Sequence, residues 1–157
     1  MSYQSPLGQL MVPVLVSTCL LGIRCRYDGR AKTYSSILNI PGIIPVPVCP
    51  DQLGWAPTPR ASASLAGGYG RALIMRRANV QKTFWEDLTL AFLLGARYSF
   101  KVVQIVSVRY ALPKKWDPSC GTQRVCIDGE IQEWLEAIAA MLKCLGIYLM
   151  KEDGLKV

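Results

Sequence analysis

The sequence predicts one α/β domain spanning residues 1–157, a layered fold with a mainly parallel sheet. Three observations carry this expectation. Three short runs, Val12–Thr18, Ile43–Val48 and Val102–Val108, are apolar at successive rather than alternate positions, as in strands covered on both faces. Two helical patterns interleave with them, which is the signature of layered α/β folds. The length of 157 residues, 51% of them apolar, suits a single core.

Val12–Thr18 reads as the first strand, rich in β-branched residues. Ile43–Val48 is the second, where Pro45 and Pro47 argue against a central strand paired on both sides. Thr83 to Glu86 spells a T-x-x-E capping box. Trp85, Leu88 and Phe92 then share one helical face, and Gly95 marks the expected end. Val102–Val108 is the clearest strand pattern. Glu130 to Leu145 predicts a second helix, striped by Ile131, Trp134, Leu135, Ile138, Leu142 and Leu145 and stopped by Gly146. Ile147–Met150 is the last predicted strand. The run Gly67-Gly68-Tyr69-Gly70 lacks the spacing of a phosphate cradle and reads as a hairpin or loop.

Composition narrows the chemistry. The chain has no histidine, which removes histidine triads, the common zinc hydrolase sites and imidazole bases. No run of about 20 apolar residues predicts a membrane span. Charged residues make up 18% of the chain, below the roughly 25% usual for soluble domains, which leaves room for an oligomer interface. Val16-Ser17-Thr18-Cys19 faintly resembles a lipoprotein cleavage site. No Lys or Arg precedes it and Pro13 interrupts the apolar stretch, so a cytoplasmic location is expected. The net charge of +7 admits an RNA partner. The cations are dispersed, however, and a generic basic surface is the simpler reading.

Six cysteines in a reducing compartment are not expected to form disulfides. Cys19, Cys25, Cys49, Cys120, Cys126 and Cys144 contain no C-x-x-C pair, so local spacing gives neither a zinc ribbon nor a ferredoxin. Cys19 and Cys49 each follow a predicted strand, and Cys120 lies in a loop beyond the third. Ligands of open α/β sheets bind at the carboxyl ends of strands. Three cysteines distant in sequence can therefore meet at one rim, and the Pro and Gly neighbours of Cys49 and Cys120 would leave backbone amides to face a bound group. The competing reading is that these thiols are small apolar filler. Cys144 reads as core, and filler is favoured for Cys25 and Cys126.

Five segments then point to a family. Val16-Ser17-Thr18-Cys19-Leu20-Leu21-Gly22, followed by Arg26-Tyr27-Asp28-Gly29, opens the series. Pro47-Val48-Cys49-Pro50-Asp51 with Gly54 comes next, then Pro57-Thr58-Pro59-Arg60, then Asp87-Leu88-Thr89 with Phe92 and Gly95-Ala96. Asp117-Pro118-Ser119-Cys120-Gly121 closes it. In this order they resemble the thiouracil desulfidases, small bacterial iron–sulfur proteins once grouped as a domain of unknown function. The resemblance runs from about Val14 to Glu152.

It implies a Rossmann-like fold and a 4Fe–4S cluster held by Cys19, Cys49 and Cys120, with one iron not ligated by protein. Such an iron is an open Lewis acid for the sulfur of a thiolated pyrimidine. The implied reaction releases that sulfur as sulfide from 2-thiouracil, 4-thiouracil or a thiouridine-type nucleoside. The family places a glutamate two residues after the second cysteine and a serine three before the third. This chain has Asp51 and Asp117 there, the candidate catalytic carboxylates. Asp51 falls about 1.5 Å short of a glutamate's reach, which positional catalysis feels. The link Arg109–Trp116 is longer than the family's, and Trp116 is a stacking candidate. Arg60 and Asp28 are candidates for orienting substrate. Two alternatives stand beside the enzyme: a non-catalytic cluster module that has lost the glutamate and serine, and a protein binding thiolated RNA.

Overall fold

The computed structural model describes residues 3–4, 8, 10–66, 72–73, 75–82, 87–114, 125–127, 130–132 and 137–150. Its main sheet is built on β2 (Leu10–Ser17). β3 (Ile43–Val48) runs parallel to β2 on one side, from Val12↔Ile43 to Ser17↔Val48. β6 (Tyr110–Leu112) runs parallel to β2, and β9 (Tyr148–Leu149) runs parallel to β6. The short β1 (Tyr3–Gln4) pairs antiparallel with the start of β2. A second sheet has the order β5 (Asn79–Lys82), β4 (Ala63–Ala66), β7 (Val125–Ile127), β8 (Glu130–Gln132). Only its β4–β7 pair is parallel. The α/β class with a parallel main sheet is as expected; the second sheet was not foreseen.

Both faces of β2 are covered, as its unbroken apolar run requires. Leu15 joins Val48, Ala96, Val103, Ala111, Ile138 and Leu142 in one core. Its neighbours Val14 and Val16 face the other way, into a core with Leu20, Ile37 and Leu112. The period of two along a strand produces this split. In β3, Pro45 and Pro47 cannot donate to a ladder, so Ile44, Val46 and Val48 must carry its amide bonds to β2. The two prolines therefore turn their nitrogens outward, and among the described residues β3 pairs with β2 alone.

Two predicted elements are corrected. Val102–Val108 is not a strand. Residues Thr89–Val106 form one 18-residue helix, α2, closed by Ser107 in the left-handed region. Phe92, Ala96, Ser99 and Val103 recur at helical spacing and are all buried, so packing overrides the β-propensity of the valines. Gly95 lies inside this helix instead of ending it. Thr89 N–H donates to Asp87 Oδ1 at 2.7 Å at the helix start, while the proposed box at Thr83–Glu86 lies outside the described residues. The third strand is β6, inside the stretch read as a lengthened link; the link toward Cys120 begins only at Pro113.

The second correction concerns Glu130–Leu145. Residues 130–132 are strand β8, and among the described residues the helix, α3, is Ala137–Cys144. Ile127 pairs with Glu130, and the intervening sequence Asp128-Gly129 is a strong hairpin signal. Ile138 and Leu142 are buried as expected. Cys144, two residues beyond Leu142 on the helix, is exposed and so is not core. Gly146 follows with φ 74°.

Candidate functional site

Because β2 and β3 are parallel and in register at Ser17↔Val48, the residues leaving their carboxyl ends emerge side by side. Cys19 lies in a 3-10 turn, Thr18–Leu21. Cys49 is the N-cap of a one-turn helix, α1 (Pro50–Leu53). The chain after Cys19 makes a short excursion and is fastened again where Lys32 N–H donates to Cys19 O at 3.0 Å and Tyr34 N–H to Leu20 O at 2.9 Å. Cys25 rides on this excursion and is buried.

The structure thus brings three thiols together, Cys19, Cys25 and Cys49. Cys49 Sγ lies 3.7 Å from the Cys25 carbonyl oxygen, to which it donates. The Cys25 thiol is hydrogen-bonded to Cys19 and to Cys49, and these contacts, with burial, push its titration far above the usual thiol range. Cys25 and Cys49 line a cavity of about 480 Å3. Thr18, Arg24, Gln52 and Thr58 supply its other polar walls, and Gln52 Nε2 donates to Thr58 Oγ1.

Below this rim lies a buried ion pair. Asp51, in the first turn of α1, accepts a hydrogen bond from Arg60 Nη2, and the side chains are 7% and 1% exposed. Arg60 Nη1 donates to Ala61 O at 3.1 Å. The guanidinium carbon stands 5.9 Å from the Tyr27 ring centre and 5.7 Å from that of Phe92, within cation–π range. The backbone of Arg60 is held by Tyr27 O at 2.7 Å. Arg60 is therefore spent on Asp51 and not presented to the cavity.

Asp28 is bound by both nitrogens of the Arg26 fork, at 3.0 and 2.8 Å, and by Arg30 N–H at 3.1 Å. Desolvation alone would raise its carboxyl; the Arg26 and Arg30 hydrogen bonds and charges prevail and hold it below the usual carboxylate range. Its visible role is to brace the excursion that carries Cys25.

At Gly54 and Gly95 the backbones of α1 and α2 approach directly. A Cβ on Gly54 would fall 2.8 Å from the Ala91 carbonyl carbon and 3.0 Å from Gly95 N, and one on Gly95 would fall 2.8 Å from the Pro50 carbonyl carbon. Only glycine permits this approach, which fixes α1, and with it Cys49 and Asp51, against the long helix.

Trp116, Asp117 and Cys120 lie outside the described residues. The described chain leads toward them from the site itself: Lys114 N–H donates to the buried Ser17 Oγ at 2.8 Å, across 97 residues. Cys126 is placed only as backbone in β7. The residue that sequence reading undervalued is Cys25. Its spacing from Cys19 matches no ligand motif, and only the folded excursion brings it back.

A model of the 2-thiouracil desulfurase family matches residues 14–153. The chain belongs to this family. As a member it is 30% identical over 146 residues to the uncharacterized protein YbbK of Bacillus subtilis (strain 168), a match covering 90% of this chain and 97% of that one. Among solved structures, this family member superposes on the [4Fe-4S]-dependent thiouracil desulfidase TudS with a TM-score of 0.75 at 29% identity. That match covers 90% of this chain and 91% of TudS.

The donors present suit an iron–sulfur group. Thiols are soft ligands of the kind iron–sulfur clusters take, and among the described residues no three His, Cys, Asp or Glu side chains are placed to clasp a single metal ion. A cluster, with its cysteines at separate corners, calls for a wider set.

Proposed function

We propose that this chain is an iron–sulfur-dependent desulfidase that converts a thiolated pyrimidine to its oxo form and releases sulfide. The observation that carries the reading is the meeting of Cys19 and Cys49 beside a cavity, in a chain of the 2-thiouracil desulfurase family. Cys120 would complete the ligand set. It lies six residues beyond Lys114, whose N–H is anchored at Ser17, and six extended residues span about 20 Å, a length sufficient to reach Cys19.

When bound, the cluster supplies an iron without a protein ligand, a thiophilic Lewis acid for the exocyclic sulfur. The overall change is hydrolytic: water supplies the oxygen, sulfide leaves, and no electrons are transferred. The chain contributes the rest. Arg24 can donate to a ring carbonyl, and the Gln52 side-chain oxygen can accept from a ring N–H. Asp51 is assigned as the carboxylate that takes the proton of the attacking water, with Arg60 fixing its orientation. Asp117 would add a second carboxylate, and Trp116 a stacking face. A cytoplasmic location, where thiols stay reduced, fits such a centre.

Anaerobic reconstitution tests the reading. Wild type should bind about four irons and four sulfides per chain, as a cubane cluster requires, and release sulfide from 2-thiouracil, 4-thiouracil or 4-thiouridine. Cys19→Ser, Cys49→Ser and Cys120→Ser should each lose the iron. A fully loaded wild type that frees no sulfide from any of these substrates would leave the non-catalytic module in its place.

A further inference from the structure

Cys25 is absent from the ligand set just proposed, yet it is the thiol that touches both of that set's described members. It is buried, its carbonyl oxygen accepts from Cys49 Sγ at 3.7 Å, its thiol contacts those of Cys19 and Cys49, and it stands on a segment fastened at four points. These are Arg26 N–H to Arg30 O, Gly29 N–H to Arg26 O, Lys32 N–H to Cys19 O and Tyr34 N–H to Leu20 O, between 2.9 and 3.2 Å. Filler needs apolar surroundings and nothing else. A thiol between two other thiols, lining the same cavity as one of them, has polar partners at the place where the chemistry is expected.

We infer that Cys25 is a positioning residue of the cluster site, whose S–H donates to the sulfurs of Cys19 and Cys49 once these are committed to iron. The inference rests on the cluster reading above and extends it. Two sulfurs that bind iron have given up their protons and become acceptors only. The neighbouring thiol that binds no iron keeps its proton and is the donor within reach. Hydrogen bonds to cluster sulfurs stabilise the more negative, reduced state and raise the reduction potential. They also hold the ligands in place, and loss of such outer partners commonly weakens metal binding by about 10- to 100-fold. The contact that Cys49 makes with the Cys25 carbonyl in the cluster-free chain would be surrendered on loading, so the same residue serves the thiol before and the thiolate after.

Three variants of the full chain separate this role from packing and from ligation. Cys25→Val keeps approximate volume and removes the donor. Cys25→Ser keeps a donor and loses bulk. Cys25→Ala removes both. Each is reconstituted anaerobically and followed by iron and sulfide content, by an EPR-monitored redox titration, and by the rate of iron loss to a chelator. All three are expected to load as much iron as wild type. Val and Ala should titrate at lower potential and lose iron about 10-fold faster, with Ser close to wild type. A Val variant that behaves as wild type makes Cys25 filler and overturns the inference. So does a Ser variant that shares the defect of Val, or an Ala variant that loads no iron, which would make Cys25 a ligand. A wild type that takes up no iron overturns the cluster reading and this inference together, whereas a loaded wild type with unaltered variants defeats the inference alone.

Discussion

Gly95→Ala sets two physical effects against each other, and the structure decides the sign. Gly95 lies inside α2, where replacing glycine by alanine favours the helix by about 1 kcal/mol. On propensity alone the variant is stabilised. The added Cβ, however, would stand 2.8 Å from the Pro50 carbonyl carbon and 3.3 Å from Pro50 Cα, where ordinary contact begins at 3.4 Å. These are backbone atoms of α1, and no side chain can rotate to relieve them. Overpacking of this kind costs about 1–3 kcal/mol, and a rigid backbone wall belongs at the upper end. Subtracting the propensity gain leaves a net loss of about 1–2 kcal/mol. For a chain of this size that lowers Tm by about 2–8 °C. Thermal melting of the cluster-free protein reads the effect, and iron retention after reconstitution reads its transmission to Cys49. Gly54→Ala, which meets Ala91 from the other side, should behave alike. A Gly95→Ala protein that melts above wild type would refute the reasoning, because it would mean that propensity governs and that α1 yields freely.

Two further outcomes follow from the ion pairs. Arg60→Met removes the partner of a carboxylate that is 7% exposed and should destabilise by about 3–5 kcal/mol. Adding Asp51→Asn to Arg60→Met should recover part of that loss in a double-mutant cycle of denaturant melts, and strict additivity would show that the two do not interact. The Asp28 carboxyl is depressed by its hydrogen bonds from Arg26 and Arg30. Its contribution is therefore complete above the unfolded value near 4 and is lost as pH falls through the lower folded value. Asp28→Asn should lower stability at neutral pH, where that contribution is complete, and change it little in acid below the folded value, where wild type has already lost it, so that the acid limb flattens; a variant as stable as wild type at pH 7 contradicts the linkage.

What was legible in the sequence had local causes. β2 announced itself because a strand buried on both faces must be apolar at every position. Cys19 and Cys49 could be placed near one another because parallel strands deliver their carboxyl ends to one rim. The errors arose where local preference and tertiary context disagreed. Val102, Val103, Ile105 and Val106 carry strand propensity, but the spacing of Phe92, Ala96, Ser99 and Val103 joins them to the preceding helix. Gly95 was read as a stop, although its missing side chain serves a neighbour 45 residues earlier in the chain. Arg60 is a candidate for orienting substrate through the resemblance alone; no local pattern reveals that Asp51 and two aromatic rings enclose it. Cys25 was invisible for the same reason, since its partners lie six and 24 residues away and meet it only through a folded excursion.

The outward-turned nitrogens of Pro45 and Pro47 bear on the life of the protein before any cofactor arrives. An open parallel sheet ends in an edge that can recruit a strand from another copy, and such recruitment seeds aggregation. On β3 the outward positions Pro45 and Pro47 both lack a hydrogen to offer, so an incoming strand would find a broken ladder. The same strand ends at Cys49. On the proposed function, that end of the sheet would stay open to incoming iron and sulfide without leaving a template for self-association beside it.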